Sequence, residues 1–274
     1  MASSFNKIRV FQIAKTVVDR QAVRLWLDDL GANEFEIPEE DTVSDPALLV
    51  ALAAKQCYMS FQPGLNPNVT KVRKDMVDYL DNVMKQRHGS VLEHAVFTFG
   101  INGCSRVFSG ENNRHRAGVA ISERSMRYVR YENIEFWMPG CFRAEGGDSP
   151  ELAKKKQLSR ERLTAQFTSQ EEMMAFFAET WKEELAPAST FHNKKVLTSA
   201  FRRGIGMGIA TGGVWSLNVR ALRHVIALRT DGGAEEEIVH VYMSIGRMML
   251  AGVPELFGDF KEIEGSLVPE YWKV

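Results

Sequence analysis

Helix-like and strand-like patterns follow one another irregularly along this 274-residue chain, and that irregularity limits the folds it can adopt. Apolar residues at helical spacing predict helices, and alternating or continuous apolar runs predict strands. The predicted helices cover about residues 19–30, 47–58, 72–83, 151–185, 193–203, 219–228 and 234–250, and the predicted strands 8–14, 95–101 and 209–217. A doubly wound parallel sheet needs a regular strand–helix–strand rhythm, which this order lacks. We therefore predict an α+β fold, a mixed sheet flanked by helices, in a single large domain spanning residues 1–274.

The overall charge and the cysteines indicate the environment of the chain. The formal net charge is −1 at pH 7, which gives no general attraction to nucleic acid or anionic membranes. The first residues, MASSFNKIRV, lack the apolar stretch of a signal peptide, and no segment has the length and apolarity of a membrane span. The three cysteines, Cys57, Cys104 and Cys141, are widely spaced, as is typical of reduced thiols. We expect a cytoplasmic protein that binds neither nucleic acid nor membrane.

Arginine is the only basic residue other than histidine between positions 87 and 143. The segment holds eight arginines and no lysine, namely Arg87, Arg106, Arg114, Arg116, Arg124, Arg127, Arg130 and Arg143. Four of them lie in RHRAGVAISERSMR, together with Ser122, Glu123 and Ser125. Because the planar guanidinium donates two hydrogen bonds to one phosphate and stays charged when partly buried, this cluster suits a nucleotide. The alternative is an arginine-rich loop that pairs with nearby acids, and composition alone does not decide between them.

A second cation interrupts the apolar face of its own helix. Asn218 is suited to cap the helix of NVRALRHVIALR, in which Arg229 falls three and four residues after Ile226 and Val225, on the apolar stripe. A buried guanidinium without a partner is costly, so we expect Arg229 to meet an anion there. That anion is either a protein carboxylate or a ligand. Arg220 and His224 lie four apart on the neighbouring face, where one ligand can contact both.

Two other patterns do not support the sites that they first resemble. His88 and His94 are six residues apart and so face different sides of a helix, and no third ligand accompanies them. We therefore expect no metal site. The glycines of GIGMGIATGG, residues 204–213, have the wrong spacing for a dinucleotide-binding loop and do not follow a predicted strand.

Four motifs together resemble one enzyme family. Arg114-His115-Arg116 is followed by Ser125-Met126-Arg127-Tyr128, and this pair resembles the signature of flavin-dependent thymidylate synthases. HGSVLEHAVFTF at 88–99, FWMP at 136–139 and LNVRALRHVIALR at 217–229 occur in the family's order. The resemblance covers most of the chain between residues 58 and 250. The sequence departs from the family's common form in five places. Eight residues instead of seven separate Arg116 from Ser125, and Ser122 stands where asparagine is usual. Glu111-Asn112-Asn113 replaces a glutamine-aromatic stretch, Glu235-Glu236 replaces the usual Gln-Trp pair, and the glycines at 204–213 are unusual.

The resemblance implies a role for each matching residue. FAD is expected to contact Ser90, Arg114, His115, Arg116, Glu123, Asn218, Arg220 and His224. The expected dUMP contacts are Arg114, Glu123, Ser125, Arg127, Arg202 and Arg229, with Arg202 on the phosphate. Arg229, which holds and polarises the pyrimidine, and Ser125, in the turn that cradles dUMP, are the expected catalytic residues.

The resemblance also implies the reaction and the assembly. We expect methylation of dUMP to dTMP, with methylenetetrahydrofolate as the carbon donor and NADPH as the reductant of FAD, in a homotetramer whose sites combine several subunits. Residues of about 1–45 would be an N-terminal extension, and about 145–190 a variable helical insertion. Two alternatives remain open: a relative that adds another one-carbon group, such as hydroxymethyl, to a pyrimidine nucleotide, and an arginine-rich module that binds nucleic acid.

Overall fold

The computed structural model describes residues 2–5, 7–128, 133–272 and 274, so Arg130 lies outside the described residues. The helices are α1 (Arg20–Asp29), α2 (Asp45–Tyr58), α3 (Met76–Lys85), α4 (Arg106–Asn112), α5 (Pro150–Thr180), α6 (Lys182–Leu185), α7 (Phe191–Phe201), α8 (Val219–Arg229), α9 (Glu236–Gly252) and α10 (Pro254–Phe257). The strands are β1 (Ser3–Phe5), β2 (Arg9–Lys15), β3 (Val96–Ser105), β4 (Val119–Glu123), β5 (Glu135–Trp137), β6 (Ala210–Asn218), β7 (Phe260–Ile263) and β8 (Ser266–Pro269). Short 3-10 turns cover Gly89–His94, Gly140–Phe142 and Arg202–Gly204.

The central sheet has four strands in the order β2-β3-β6-β4, and each pairing within it is antiparallel. The expectation of one mixed sheet is therefore wrong, because the parallel pair, β1 with β5, is a separate two-stranded sheet. The burial pattern agrees with the antiparallel pairing. Along β3, Phe97, Phe99 and Ile101 are buried whereas Val96 is exposed. This alternation is the mark of an antiparallel sheet with one covered face, whereas a parallel sheet is usually buried on both.

The covered face of the sheet packs on three helices that form one apolar core with it. This core contains Leu48 and Ala51 of α2, Leu222 and Ile226 of α8, and Ile245 of α9, all at most 1% exposed. A smaller cluster lies around the β1–β5 pair, where the ring of Phe136 stacks on Phe167 of α5 at 4.4 Å. Helix α5 therefore packs on the β1–β5 pair through its own apolar contact.

Helix α8 follows β6 without a loop. Asn218 ends the strand and caps the helix, because its side chain accepts a hydrogen bond from the Ala221 amide at 2.8 Å, as the sequence predicts. One residue on this helix is deeply buried and charged. Arg223 forms two hydrogen bonds to Asp259, at 2.6 and 2.7 Å, and both side chains are 5% exposed. The ion pair fixes α8 to the segment between α10 and β7.

Within the described ranges, no helix combines the length and apolar character that crossing a membrane requires. The same residues contain no group of three or more His, Cys, Asp or Glu side chains placed to hold a metal ion.

The buried ion pair leads to a stability prediction. Asp259→Ala should lower the free energy of unfolding by about 3–5 kcal/mol, because Arg223 would be left buried without its counter-charge. Glu262→Ala is the matched control, since its ion pair with Arg247 is exposed, and it should change stability little. Urea denaturation monitored by circular dichroism measures both. Equal losses in the two variants would contradict this account of the fold.

Candidate functional site

A cavity of about 940 Å³ lies along α8, within the size range of small-molecule and cofactor sites. Its walls come from the segment after α4, helix α8 between Arg220 and Leu228, the residues before β3 and the C-terminal segment that contains the hairpin β7–β8. Six of the residues that the sequence assigns to flavin line it, namely Arg114, His115, Arg116, Asn218, Arg220 and His224. The fold therefore gathers two motifs that lie a hundred residues apart into one wall.

Positive charge dominates this cavity. Its lining includes five arginines, Arg87, Arg114, Arg116, Arg220 and Arg223, and one acidic side chain, Glu93. Protein carboxylates contact three of these arginines, since Arg220 pairs with Glu93 at 2.7 Å, Arg223 with Asp259 and Arg114 with Glu111 at 3.5 Å. Arg114 is nevertheless 71% exposed, and among the described residues no carboxylate pairs with Arg87 or Arg116, so these three cations remain available beside the cavity. This arrangement suits a ligand that carries phosphate groups.

Gly118 allows the arginine loop to approach α8 closely. Its φ of +70° lies in the left-handed region, and a Cβ atom there would lie 2.5 Å from Nδ2 of Asn218. The Gly118 carbonyl accepts a hydrogen bond from the Asn218 amide at 3.0 Å. A side chain at this position would therefore push the loop away from the helix cap.

Arg229 has two partners in the folded chain, His115 and Glu111. Its Nε–H donates to Nε2 of His115 at 2.8 Å, and its terminal nitrogens contact the Glu111 carboxylate at 3.3 Å and the Glu111 carbonyl at 3.4 Å. Of the two alternatives for the expected anion, the chain itself thus supplies a carboxylate. This carboxylate is 29% exposed and also pairs with Arg114 at 3.5 Å, so Glu111 is not committed to Arg229 alone.

The contact with Arg229 fixes the protonation of His115. Because Nε2 accepts a hydrogen bond, the imidazole is neutral and carries its proton on Nδ1. Burial, followed by the charge of Arg229 and the neighbouring His224, lowers the pKa of His115 to about 4. The rings of His115 and His224 lie edge to face, with centroids 6.4 Å apart. His115, which joins Arg229 to the cavity, is therefore uncharged at neutral pH and can donate a hydrogen bond through Nδ1.

Three of the six residues expected to bind dUMP, Ser125, Arg127 and Arg202, form a second group at the C-terminal end of α7. Arg127 donates from Nε to the Ser199 hydroxyl at 2.8 Å, and its carbonyl accepts from Thr198 at 2.7 Å. The hydroxyl of Ser125 accepts from the Arg127 amide at 3.2 Å, which closes the turn. Arg202 follows α7 directly and is exposed. Among the described residues that line the cavity, none belongs to this group.

Two further predicted residues lie at the edges of the site. Ser90 is exposed in the turn Gly89–His94, and its neighbours Leu92 and Glu93 line the cavity. Glu123 lies on β4, where its carboxylate contacts Arg106 at 3.4 Å and accepts from Thr211 at 3.4 Å. These contacts hold Glu123 against the sheet rather than in the cavity wall.

Sequence reasoning missed part of the cavity wall. Phe260, Pro269, Tyr271 and Trp272 line it, but the C-terminal hairpin is too short to leave a clear periodic signal. It also assigned no role to Glu111. The spacing of three between Glu111 and Arg114 was the local sign that this carboxylate faces the arginine loop.

The family model described as thymidylate synthase complementing protein matches residues 40–255. The flavin-dependent thymidylate synthase of Geobacter sulfurreducens is 31% identical over 216 residues, which are 78% of this chain and 82% of that protein. The flavin-dependent thymidylate synthase of Mycobacteroides abscessus is 31% identical over 245 residues, 88% of this chain and 91% of that protein.

Solved structures share the fold over nearly the whole chain. The UMP/dUMP methylase PolB from Streptomyces cacaoi, bound with 5-Br dUMP, has a TM-score of 0.61 at 16% identity and covers 93% of this chain and 95% of its own. Thymidylate Synthase X from Helicobacter pylori, with FAD and dUMP, has a TM-score of 0.51 at 18% identity over 92% of this chain and 98% of its own. From the family match and the relatives at 31% identity, the chain belongs to the flavin-dependent thymidylate synthase family, a family of methyltransferases.

Proposed function

We propose that this chain methylates dUMP to dTMP, with methylenetetrahydrofolate as the carbon donor and NADPH as the reductant of bound FAD. The balanced reaction converts dUMP, methylenetetrahydrofolate, NADPH and a proton to dTMP, tetrahydrofolate and NADP⁺. One observation carries the proposal: a cavity lined by six residues of the flavin motifs is joined by His115 to Arg229, the predicted pyrimidine-binding arginine. A flavin and a pyrimidine bound there would be neighbours.

The cavity residues fit FAD by charge and by hydrogen-bonding character. Arg87, Arg114 and Arg116 provide cations for a diphosphate, and Asn218 and His224 provide polar groups for ribityl, ribose or ring atoms. When bound, FAD would supply the hydride that reduces the transferred carbon, and the protein would supply binding and orientation. The likeness to a structure of Helicobacter pylori Thymidylate Synthase X with FAD and dUMP supports this assignment.

Arg229 would hold the pyrimidine ring and polarise its carbonyl groups. The guanidinium has five N–H donors, of which the contacts to His115 and Glu111 engage three. The remaining donors are available to a pyrimidine carbonyl oxygen, on which negative charge develops when the ring is activated at C5. Because Arg229 is 15% exposed, its charge is poorly screened by water and acts strongly on that oxygen.

Glu111 and His115 would orient Arg229 for this task. Glu111 receives two of its hydrogen bonds, and His115 receives the third, so the plane of the guanidinium is fixed before the substrate binds. Because His115 is neutral, it adds no third positive charge beside Arg229 and Arg114. A charged imidazole there would compete with the two arginines for the same anions. Its Nδ1–H is then free of Arg229 and available to the ligand in the cavity.

Ser125, Arg127 and Arg202 would complete the dUMP site, with Arg202 on the phosphate. Within one chain, these three residues lie near the end of α7, whereas Asn218, Arg220 and His224 of the cavity belong to α8 and its cap. Such a separation is expected if each site combines residues from several subunits. We therefore propose a homotetramer in which the α7 group of one subunit faces the α8 group of another.

The role of Arg229 gives the first functional prediction. Arg229→Ala should reduce dTMP formation by about 100-fold or more, since a donor to developing charge is lost, while the visible absorbance of bound FAD is retained. The fold should persist, because Glu111 is partly exposed and keeps Arg114 as a partner. Mass spectrometry of the product, which separates a methyl from a hydroxymethyl group, measures turnover, and Arg247→Ala serves as the surface control. A folded variant that still forms dTMP at the parent rate would place the substrate elsewhere.

Mixing variants tests the shared site. Arg202→Ala and Arg229→Ala, each inactive alone, should regain activity after their subunits are mixed, because some sites would then combine an intact Arg202 with an intact Arg229. If both residues of one site come from the same chain, every mixed site carries a defect and activity stays absent. Light scattering should give four times the mass of one chain, and an active monomer would refute the assembly.

A further inference from the structure

Part of the cavity wall comes from residues beyond the family match. The family model covers residues 40–255, whereas Phe260, Pro269, Tyr271 and Trp272 line the cavity. The hairpin β7–β8 that brings them there is fixed to the core. Leu267 is 1% exposed, and its amide donates to the Thr230 hydroxyl at the end of α8 at 2.9 Å.

Tyr271 holds the following residue at the cavity through three separate contacts. Its amide donates to Asp259 at 3.2 Å, its carbonyl accepts from Arg223 at 3.4 Å, and its hydroxyl donates to Asp81 at 2.9 Å. Arg223 belongs to α8, the helix that also presents Arg220 and His224 to the cavity. The backbone before Trp272 is therefore fixed relative to the flavin-side residues.

Trp272 lines the cavity but leaves most of its side chain uncovered. It is 61% exposed, although the residue before it is anchored on three sides. Tryptophan offers a large, flat, apolar face, and such a face is best covered by another planar ring. A planar group of the cavity's ligand is the partner of matching shape and chemistry.

The direction of α8 indicates which ring would lie there. Arg229 ends the helix and His224 lies beside His115 in its middle, while Arg220 in the first turn contacts Glu93 and the carbonyl of Val274, two residues after Trp272. Nine residues of helix separate Arg220 from Arg229, which corresponds to roughly 13 Å. The reactive flavin ring must lie near the pyrimidine at Arg229, so the opposite end of FAD extends towards Arg220.

We propose that Trp272 stacks on the adenine ring of FAD and closes the end of the cavity away from the pyrimidine. This inference rests on the proposed flavin function. It adds a binding residue to a part of the chain that the family match does not reach.

The two halves of FAD allow a direct test by calorimetry on the full chain. Trp272→Ala should weaken the binding of FAD and of ADP by about tenfold, a typical loss when a base-stacking aromatic is removed. The same variant should bind FMN, which lacks the adenine, with the parent affinity. Trp272→Phe should retain most of the affinity for FAD. Trp181→Ala is the control, since Trp181 is 40% exposed and lies at the end of α5.

Each other outcome overturns the inference. Parent affinity of Trp272→Ala for FAD would show that the ring does not contact the cofactor. Equal losses of FAD and FMN affinity would show that Trp272 contacts the flavin ring or only stabilises the fold. Losses of ADP and NADPH affinity without a loss of FAD affinity would show that Trp272 binds the adenine of NADPH instead. If the parent protein itself binds no FAD, the proposed function is wrong. If the parent protein binds FAD and Trp272→Ala binds it equally well, only the role of Trp272 is wrong.

Discussion

The ion pair between Arg223 and Asp259 connects the parts of this molecule that must act together. Helix α8 presents Arg220, His224 and Arg229, and the pair attaches that helix to the C-terminal segment that forms another part of the cavity wall. Both charges are removed from water, so the pair persists only because its geometry is bidentate and both side chains have further hydrogen bonds. Removing one partner would leave the other charge buried without compensation, so the two parts of the cavity wall are held together by a contact that neither side can lose alone.

Electrostatics divides the site into two regions with different tasks. Around the cavity, several arginines without buried carboxylate partners create a positive surface suited to phosphate groups. Around Arg229, a carboxylate and a neutral imidazole engage the guanidinium and leave part of its donor set for a neutral heterocycle. The neutral state of His115 separates these regions, because burial and the neighbouring charge of Arg229 both disfavour a charged imidazole and lower its pKa to about 4.

Local features of the sequence predicted the helices and the cap that carry the site. Contacts and strand pairings between distant segments could not be predicted from such local features. The cap at Asn218 and the apolar stripe of α8 depend on residues within a few positions of each other, and both were predicted correctly. An anion for Arg229 was predicted from the cost of burying its charge, but its identity was not, because Glu111 lies 118 positions earlier in the chain. The strand order β2-β3-β6-β4 likewise depends on register between distant segments. The mixed-sheet prediction failed there, since alternation within one strand does not define the direction of its neighbour.

The most direct test of the account is a spectral titration of the purified protein with FAD, followed by dUMP. The account predicts that the chain binds FAD at one equivalent per subunit. It also predicts that dUMP then shifts the visible spectrum of the bound flavin, because Arg229 and His115 connect the pyrimidine to the cofactor cavity. Failure to bind FAD, or a flavin spectrum that saturating dUMP leaves unchanged, would contradict it.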